Sequence, residues 1–135
     1  MGSRIVVRGD HTPEAAAALR WAVAEAEQRG VDVTVVQPFD RSVRADLALD
    51  RDLERERRDA RFRAQSWVVA AVAALDTEVC VTVSTPDAPV FEALLAAARD
   101  AALVVLPETD QAWADRLTAA CRCPVVAVTA AVPAA

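Results

Sequence analysis

Asp10, His11 and Thr12 follow directly on the apolar run Ile5-Val6-Val7, with Gly9 supporting a tight turn between them. A carboxylate, an imidazole and a hydroxyl in one turn could serve acid–base chemistry or contact a ligand, and Glu108, just beyond a second apolar run, could join them. His11 is the only histidine, however, so a Ser-His-Asp or Cys-His arrangement would have to use it. Chain neighbours such as Asp10 and His11 do not by themselves present triad geometry, and no catalytic residue is expected. Lysine chemistry is excluded outright, because all 15 basic residues are arginine. Cys121-Arg122-Cys123 has one residue between its thiols, too tight for a usual zinc or dithiol redox spacing, and Cys80 and His11 would have to converge from elsewhere. No metal and no cofactor is expected, and the cysteines read as packing residues at a helix end and a strand start.

The elements that must position these residues can be read in order. Ile5 to Val7 is a short strand; Thr12 is placed to cap a helix whose first residue is Pro13, where the missing N–H costs nothing. That helix runs to Arg29, with Ala15, Leu19, Ala22, Val23 and Ala26 on one face and Gly30 taking the left-handed C-terminal position. Trp21 falls about 200° around from Leu19 and is expected to tuck under a neighbouring segment. Val31 to Val36 is a strand stopped by Gln37-Pro38-Phe39-Asp40.

Arg41 to Arg63 holds eight arginines against six carboxylates, a balance of only +2, which reads as a solvated helix face rather than a nucleic-acid surface. A connecting turn and one long helix are expected from about Ala45 to Asp76, with Leu49, Leu53, Ala60, Ala64, Trp67, Ala71 and Leu75 as its apolar stripe. Glu54 with Arg58 and Asp59 with Arg63 are set for i,i+4 pairing. A third strand is expected over Glu78–Val83, a third helix over Pro89–Arg99 with Phe91, Leu94, Leu95 and Ala98 facing the sheet, and a fourth strand over Leu103–Leu106, ended by Pro107. A last helix bears Trp113, Leu117, Ala120 and Cys121, and Pro124–Val128 is a fifth strand. Alternating strands and helices demand an α/β fold, a parallel sheet with helices on both faces. Ligands in such sheets sit beyond the C-terminal strand ends where strand order reverses, here between Gly9–Thr12 and Pro107–Asp110.

The 135 residues fit one domain, expected over 1–129, with 130–135 frayed. No apolar run approaches a membrane span, and Met1-Gly2-Ser3 leads straight into a strand, so a soluble cytoplasmic chain with no membrane partner is expected. A net charge of −5 argues against a nucleic-acid partner.

Ile-Val-Val-x-x-Asp-x-Thr-Pro-Glu at the start, Ala-Leu-Arg-Trp-Ala over Ala18–Ala22 and Val-Thr-Val-Val-Gln-Pro-Phe-Asp over Val33–Asp40 resemble the universal stress protein family. Ala88–Ala98, Asp100–Leu106 and the closing Cys123-Pro124-Val125-Val126-Ala127-Val128 resemble its later segments. The resemblance implies a Rossmann-like three-layer sandwich, a five-stranded parallel sheet in order 3-2-1-4-5, a stress-related cytoplasmic role and homodimerisation through the last strand, Val125, Val126, Ala127 and Val128.

Two departures bear on function. Nucleotide-binding members carry Gly-x2-Gly-x9-Gly-Ser/Thr after the fourth strand, whereas this chain has no glycine after Gly30 and offers Pro107-Glu108-Thr109-Asp110 instead. The family reads adenine through backbone at the end of the second strand, a position matched by Pro38, which has no N–H. Asp10, His11, Thr12, Pro38, Pro107 and Glu108 are therefore expected to outline a vestigial pocket without a cofactor, Asp10 bracing its turn. The expected function is a homodimeric stress-response regulator or adaptor that does not bind ATP, with a possible protein partner along the arginine- and acid-rich helix. The alternatives are an adenine-nucleotide switch whose phosphate contact comes from long-helix arginines or a partner chain, and a small enzyme using Asp10, His11 and Glu108.

Overall fold

The computed structural model describes residues 3–39 and 50–129. Five strands, β1 (Arg4–Arg8), β2 (Asp32–Val36), β3 (Val81–Ser84), β4 (Ala101–Pro107) and β5 (Val125–Val128), form one sheet in the order β3-β2-β1-β4-β5. Every pairing is parallel. The connecting helices are α1 (Pro13–Arg29), α2 (Asp50–Val72), α3 (Val90–Ala98) and α4 (Gln111–Ala120), the last entered through a 3-10 turn, Glu108–Asp110. Among the described residues no helix is long and apolar enough to cross a membrane.

The period-2 alternation of β1 divides the core. Ile5 and Val7 face α1 and α2 together with Val33, Val35, Leu103 and Val105. Val6, on the opposite face, packs with Val36, Val104 and Leu106 against Leu94 of α3 and Leu117 of α4. Each large side chain buried completely in these layers contributes ~1.5–3 kcal/mol.

The ends of α1 are closed as its sequence dictates. The Thr12 hydroxyl accepts from the Ala15 N–H at 3.1 Å, and Gly30 adopts φ 69°, ψ 36° so that the N–H of Val31 reaches the Ala26 carbonyl at 3.1 Å. Trp21 departs from expectation, since it remains 38% exposed. Arg20 and Trp21 flank the buried face of α1 on opposite sides, each ~130° from its centre. The Arg20 guanidinium reaches over to α2 to donate to the Ala71 carbonyl, which places Trp21 on the side away from α2, where among the described residues the β5 edge follows α1.

α2 stops at Val72, short of Asp76, because the Leu75 N–H turns back to the Val72 carbonyl and lets Leu75 pack on the core. Of its expected stripe Leu53 and Ala64 are buried and Ala60, Trp67 and Ala71 half-buried, Val68 is a buried addition, and Leu49 lies outside the described residues. The start expected near Ala45 lies outside them too. Asp59 and Arg63 are exposed and close no ion pair among the described residues; Glu25 and Arg29 on α1 do form an i,i+4 pair, at 2.9 Å.

β3 begins at Val81 rather than Glu78. Side chains intercept the backbone donors upstream, Thr77 Oγ1 taking the Val79 N–H and Asp32 Oδ1 the Cys80 N–H. α4 ends at Ala120, an exposed residue, and Cys121 is extended; Ala114 and Leu117 are its buried anchors. Trp113 stacks on Phe91 of α3 with 5.9 Å between centroids, and the Arg116 guanidinium lies 4.1 Å from the Phe91 centroid.

Candidate functional site

Parallel pairing brings the C-terminal ends of all the strands to one edge of the sheet. β1 and β4 are neighbours whose following helices lie on opposite faces, so their ends diverge into the switch-point crevice. The expected location is therefore assembled: Arg8, Gly9 and Asp10 on one side, Pro107, Glu108 and Asp110 on the other.

A side-chain bridge crosses that crevice. Arg8 Nη1 lies 2.6 Å from Asp110 Oδ2, with the two side chains 19% and 11% exposed. Arg8 was not among the residues singled out from sequence, because one arginine at a strand end carries no periodic or spacing signal. Asp110 belongs to the 3-10 turn, Glu108–Asp110, that follows β4 directly. A guanidinium that would otherwise be free to meet phosphate is neutralised by a carboxylate.

Gly9 is required by close approach rather than by a left-handed turn. Its N–H extends the ladder to the Val36 carbonyl at 2.8 Å, and a Cβ here would fall 2.8 Å from Gln37 Oε1 and 3.0 Å from Val35 Cγ1. Only Gly30 has positive φ among the described residues. The following turn is held by the Asp10 carbonyl, which accepts from the Thr12 N–H. The Asp10 carboxylate contributes no hydrogen bond to that bracing. Thr12 caps α1, and His11, exposed, stacks on Trp67 of α2 with 5.6 Å between centroids and 14° between planes.

The end of β2 offers no spare backbone donor over three residues. The Gln37 N–H is bonded to the Ser84 carbonyl and the Phe39 N–H to the Pro86 carbonyl, both at 2.8 Å. Pro38 between them has none. Pro107 is buried at the end of β4, and Glu108 beyond it is exposed.

The arginines of α2 are directed at the β3–α3 loop. Arg57 Nε donates to the Thr85 carbonyl at 2.9 Å, and Arg61 donates to the Thr85 hydroxyl through Nη2 at 3.0 Å and Nε at 3.2 Å. Thr85, 1% exposed, is satisfied on both its polar oxygens by this clamp. Cys80 sits next to β3 at one edge of the sheet and Cys121 and Cys123 next to β5 at the other, so the fold does not gather the thiols. The Cys123 thiol is pushed above its ordinary 9.0 by burial, then by neighbouring Cys121, against a smaller opposing contribution from the Val104 backbone.

The family model for universal stress proteins matches residues 1–129, nearly the whole chain. The chain belongs to the universal stress protein family. A family protein from Burkholderia pseudomallei superposes with a TM-score of 0.59 at 24% identity, covering 93% of this chain and 95% of that one. The Archaeoglobus fulgidus universal stress protein in complex with dAMP gives 0.67 at 22% identity, over 93% and 96%. A universal stress protein in complex with cAMP gives 0.68 at 12% identity, with the same coverage. At these identities the likeness is one of fold: a Rossmann-like α/β sandwich. No protein of curated function matches the sequence.

Proposed function

We propose that this universal stress protein is a cytoplasmic homodimeric regulator or adaptor that does not bind ATP. The observation that carries the reading is the Arg8–Asp110 pair, which bridges the switch-point crevice at 2.6 Å. A triphosphate entering there would have to break that pair, face Glu108 and Asp110, and find backbone donors that Pro38, Gln37 and Phe39 do not have to spare. The adenine-nucleotide alternative, with phosphate held by long-helix arginines, is disfavoured because Arg57 and Arg61 are engaged at Thr85. An enzymatic role for Asp10, His11 and Glu108 is disfavoured because His11 is stacked on Trp67, on the α2 side of the crevice.

The dimer is assigned to β5, an edge strand of four apolar residues, all half-buried and paired only with β4 among the described residues. The opposite edge, β3, alternates valine with Thr82 and Ser84 and is less in need of a partner. Trp21, exposed on the flank of α1 nearest β5, extends the same apolar margin. On α2, Phe62, flanked by Arg61 and Arg63, and Val69, two turns further on, are 69% and 67% exposed, and they are the anchors this reading gives to a protein partner.

The test is isothermal titration of the whole chain with ATP and ADP. Binding no tighter than about millimolar is expected. A micromolar constant would overturn the proposal, and an Arg8→Ala, Asp110→Ala double variant that gained micromolar affinity would identify the pair as the element that excludes nucleotide.

A further inference from the structure

A second candidate site lies at the end of the sheet opposite the crevice. Where the N-terminal ends of β4 and β5 meet the C-terminal ends of α3 and α4 there is a cavity of about 520 Å3, within the ~300–1,000 Å3 usual for small-molecule sites. Leu95, Ala98 and Ala101, buried or half-buried, make its deep apolar wall, and the exposed Ala120 continues that wall outward. Arg99 and Arg122, both exposed, stand at its mouth. Neither guanidinium has a hydrogen-bond or ion-pair partner among the described residues, in contrast to Arg8, Arg57 and Arg61, which are all engaged.

We propose that this cavity binds a small amphipathic carboxylate, its hydrocarbon body against Leu95, Ala98 and Ala101 and its carboxylate between Arg99 and Arg122. Asp100, exposed next to Arg99, does not line the cavity, and within the lining the competing field is that of the two helix C-termini, each equivalent to roughly half a negative charge. Two full guanidinium charges outweigh it, so the mouth selects an anion. A guanidinium also matches a carboxylate bidentately, which makes the head group specific rather than merely attracted. The remaining wall does not oppose this. The Cys123 thiol, with one hydrogen to donate, has the carbonyls of Ala101 and Pro124 each within 3.4 Å, and the Cys121 thiol donates to the Cys123 carbonyl at 3.6 Å. Burial holds Cys123 in the uncharged thiol form, so it adds no negative charge beside the bound anion. The site shares no residue with the crevice at the C-terminal edge, and its occupancy is independent of whether a nucleotide binds there.

The experiment is a titration of the full chain with octanoate, followed by amide proton–nitrogen NMR, with octanol and octylamine as neutral and cationic counterparts. Saturable shifts at Ala98, Ala101 and Cys121 to Cys123 are expected with octanoate, and binding of both counterparts weaker by about tenfold or more. An Arg99→Ala, Arg122→Ala double variant, whose changes are at exposed positions and should leave the amide spectrum dispersed, is expected to lose about the same factor, and the corresponding double lysine variant to recover part of it. Three results would each overturn the proposal: no saturable shift at this end of the sheet, octanol binding as well as octanoate, or unchanged octanoate affinity in the folded double alanine variant. Shifts confined to the β5 edge would overturn it too, since they would report apolar association without the arginines.

Discussion

Single atoms decide two positions. At Gly9 the side chains of Val35 and Gln37 lie so close that a methyl group would sit 2.8 Å from Gln37 Oε1 and 3.0 Å from Val35 Cγ1. Gly9→Ala is expected to cost ~1–3 kcal/mol through overpacking, read as a lower urea midpoint at unchanged slope. Because the nearer obstacle is a side-chain end, Gln37→Ala in the same chain should recover part of that loss, and failure to do so would place the strain on Val35. At Cys123 the folded-state pKa is raised above 9.0. A raised thiol pKa means the folded state holds its proton where the unfolded chain has released it. The associated stability is complete below the unfolded value and is lost as pH climbs through the folded one. Iodoacetamide mapping by mass spectrometry should therefore find Cys80, which is exposed, alkylated well ahead of Cys123 at neutral pH, with Cys123 gaining on it as the pH rises. Equal rates at pH 7 would contradict the burial argument.

Between elements, the decisive contacts are arginine bonds that tie helix to loop. Arg57 and Arg61 lie one helical turn apart on α2, so both can reach Thr85 and hold the β3–α3 loop against the helix. Each replacement by alanine is expected to cost ~1 kcal/mol, since the donors are charged but partly solvated. The double variant should also speed amide hydrogen exchange in the loop after β3, including the Phe39 N–H that bonds the Pro86 carbonyl. Unchanged exchange there would mean the loop stands without the clamp. The same logic explains where boundaries moved: α2 closed early at Val72 and β3 opened late at Val81 because a turn hydrogen bond and two side-chain acceptors outcompeted the regular ladder.

For the whole molecule the open question is how the β5 edge is covered. Pairing with the same strand of a second copy, antiparallel about a two-fold axis, would satisfy the backbone groups that β4 leaves unpaired among the described residues and bury the valines. Wild-type chain should sediment as a dimer at micromolar concentration. Val126→Lys or Val128→Pro should yield monomer or aggregate with the helical circular dichroism largely kept. Trp21 offers a separate readout, since its emission should shift to the red when the dimer parts; Trp21→Phe would remove that change if it arises there. A wild-type monomer, or a dimer indifferent to both strand substitutions, would refute the assignment.

What the sequence determined by itself was whatever repeats locally. β1, α1 and their caps were legible because Thr12, Pro13 and Gly30 act on backbone within a few residues of themselves. The layer order followed because apolar strands alternating with amphipathic helices have few ways to bury both faces. The tertiary structure alone decided how the crevice is filled. Arg8 and Asp110 are separated by 102 positions, and nothing in the neighbourhood of either announces the other. His11 against Trp67 and Arg61 against Thr85 are of the same kind, side chains whose partners are chosen by which elements the sheet makes adjacent. The cavity between α3, α4, β4 and β5 is likewise a property of the gap left when helix ends and strand starts meet, and no single segment encodes a gap. Backbone conformation is set by short-range sterics and hydrogen bonding, whereas a site is set by long-range packing, and only the folded chain brings that packing about.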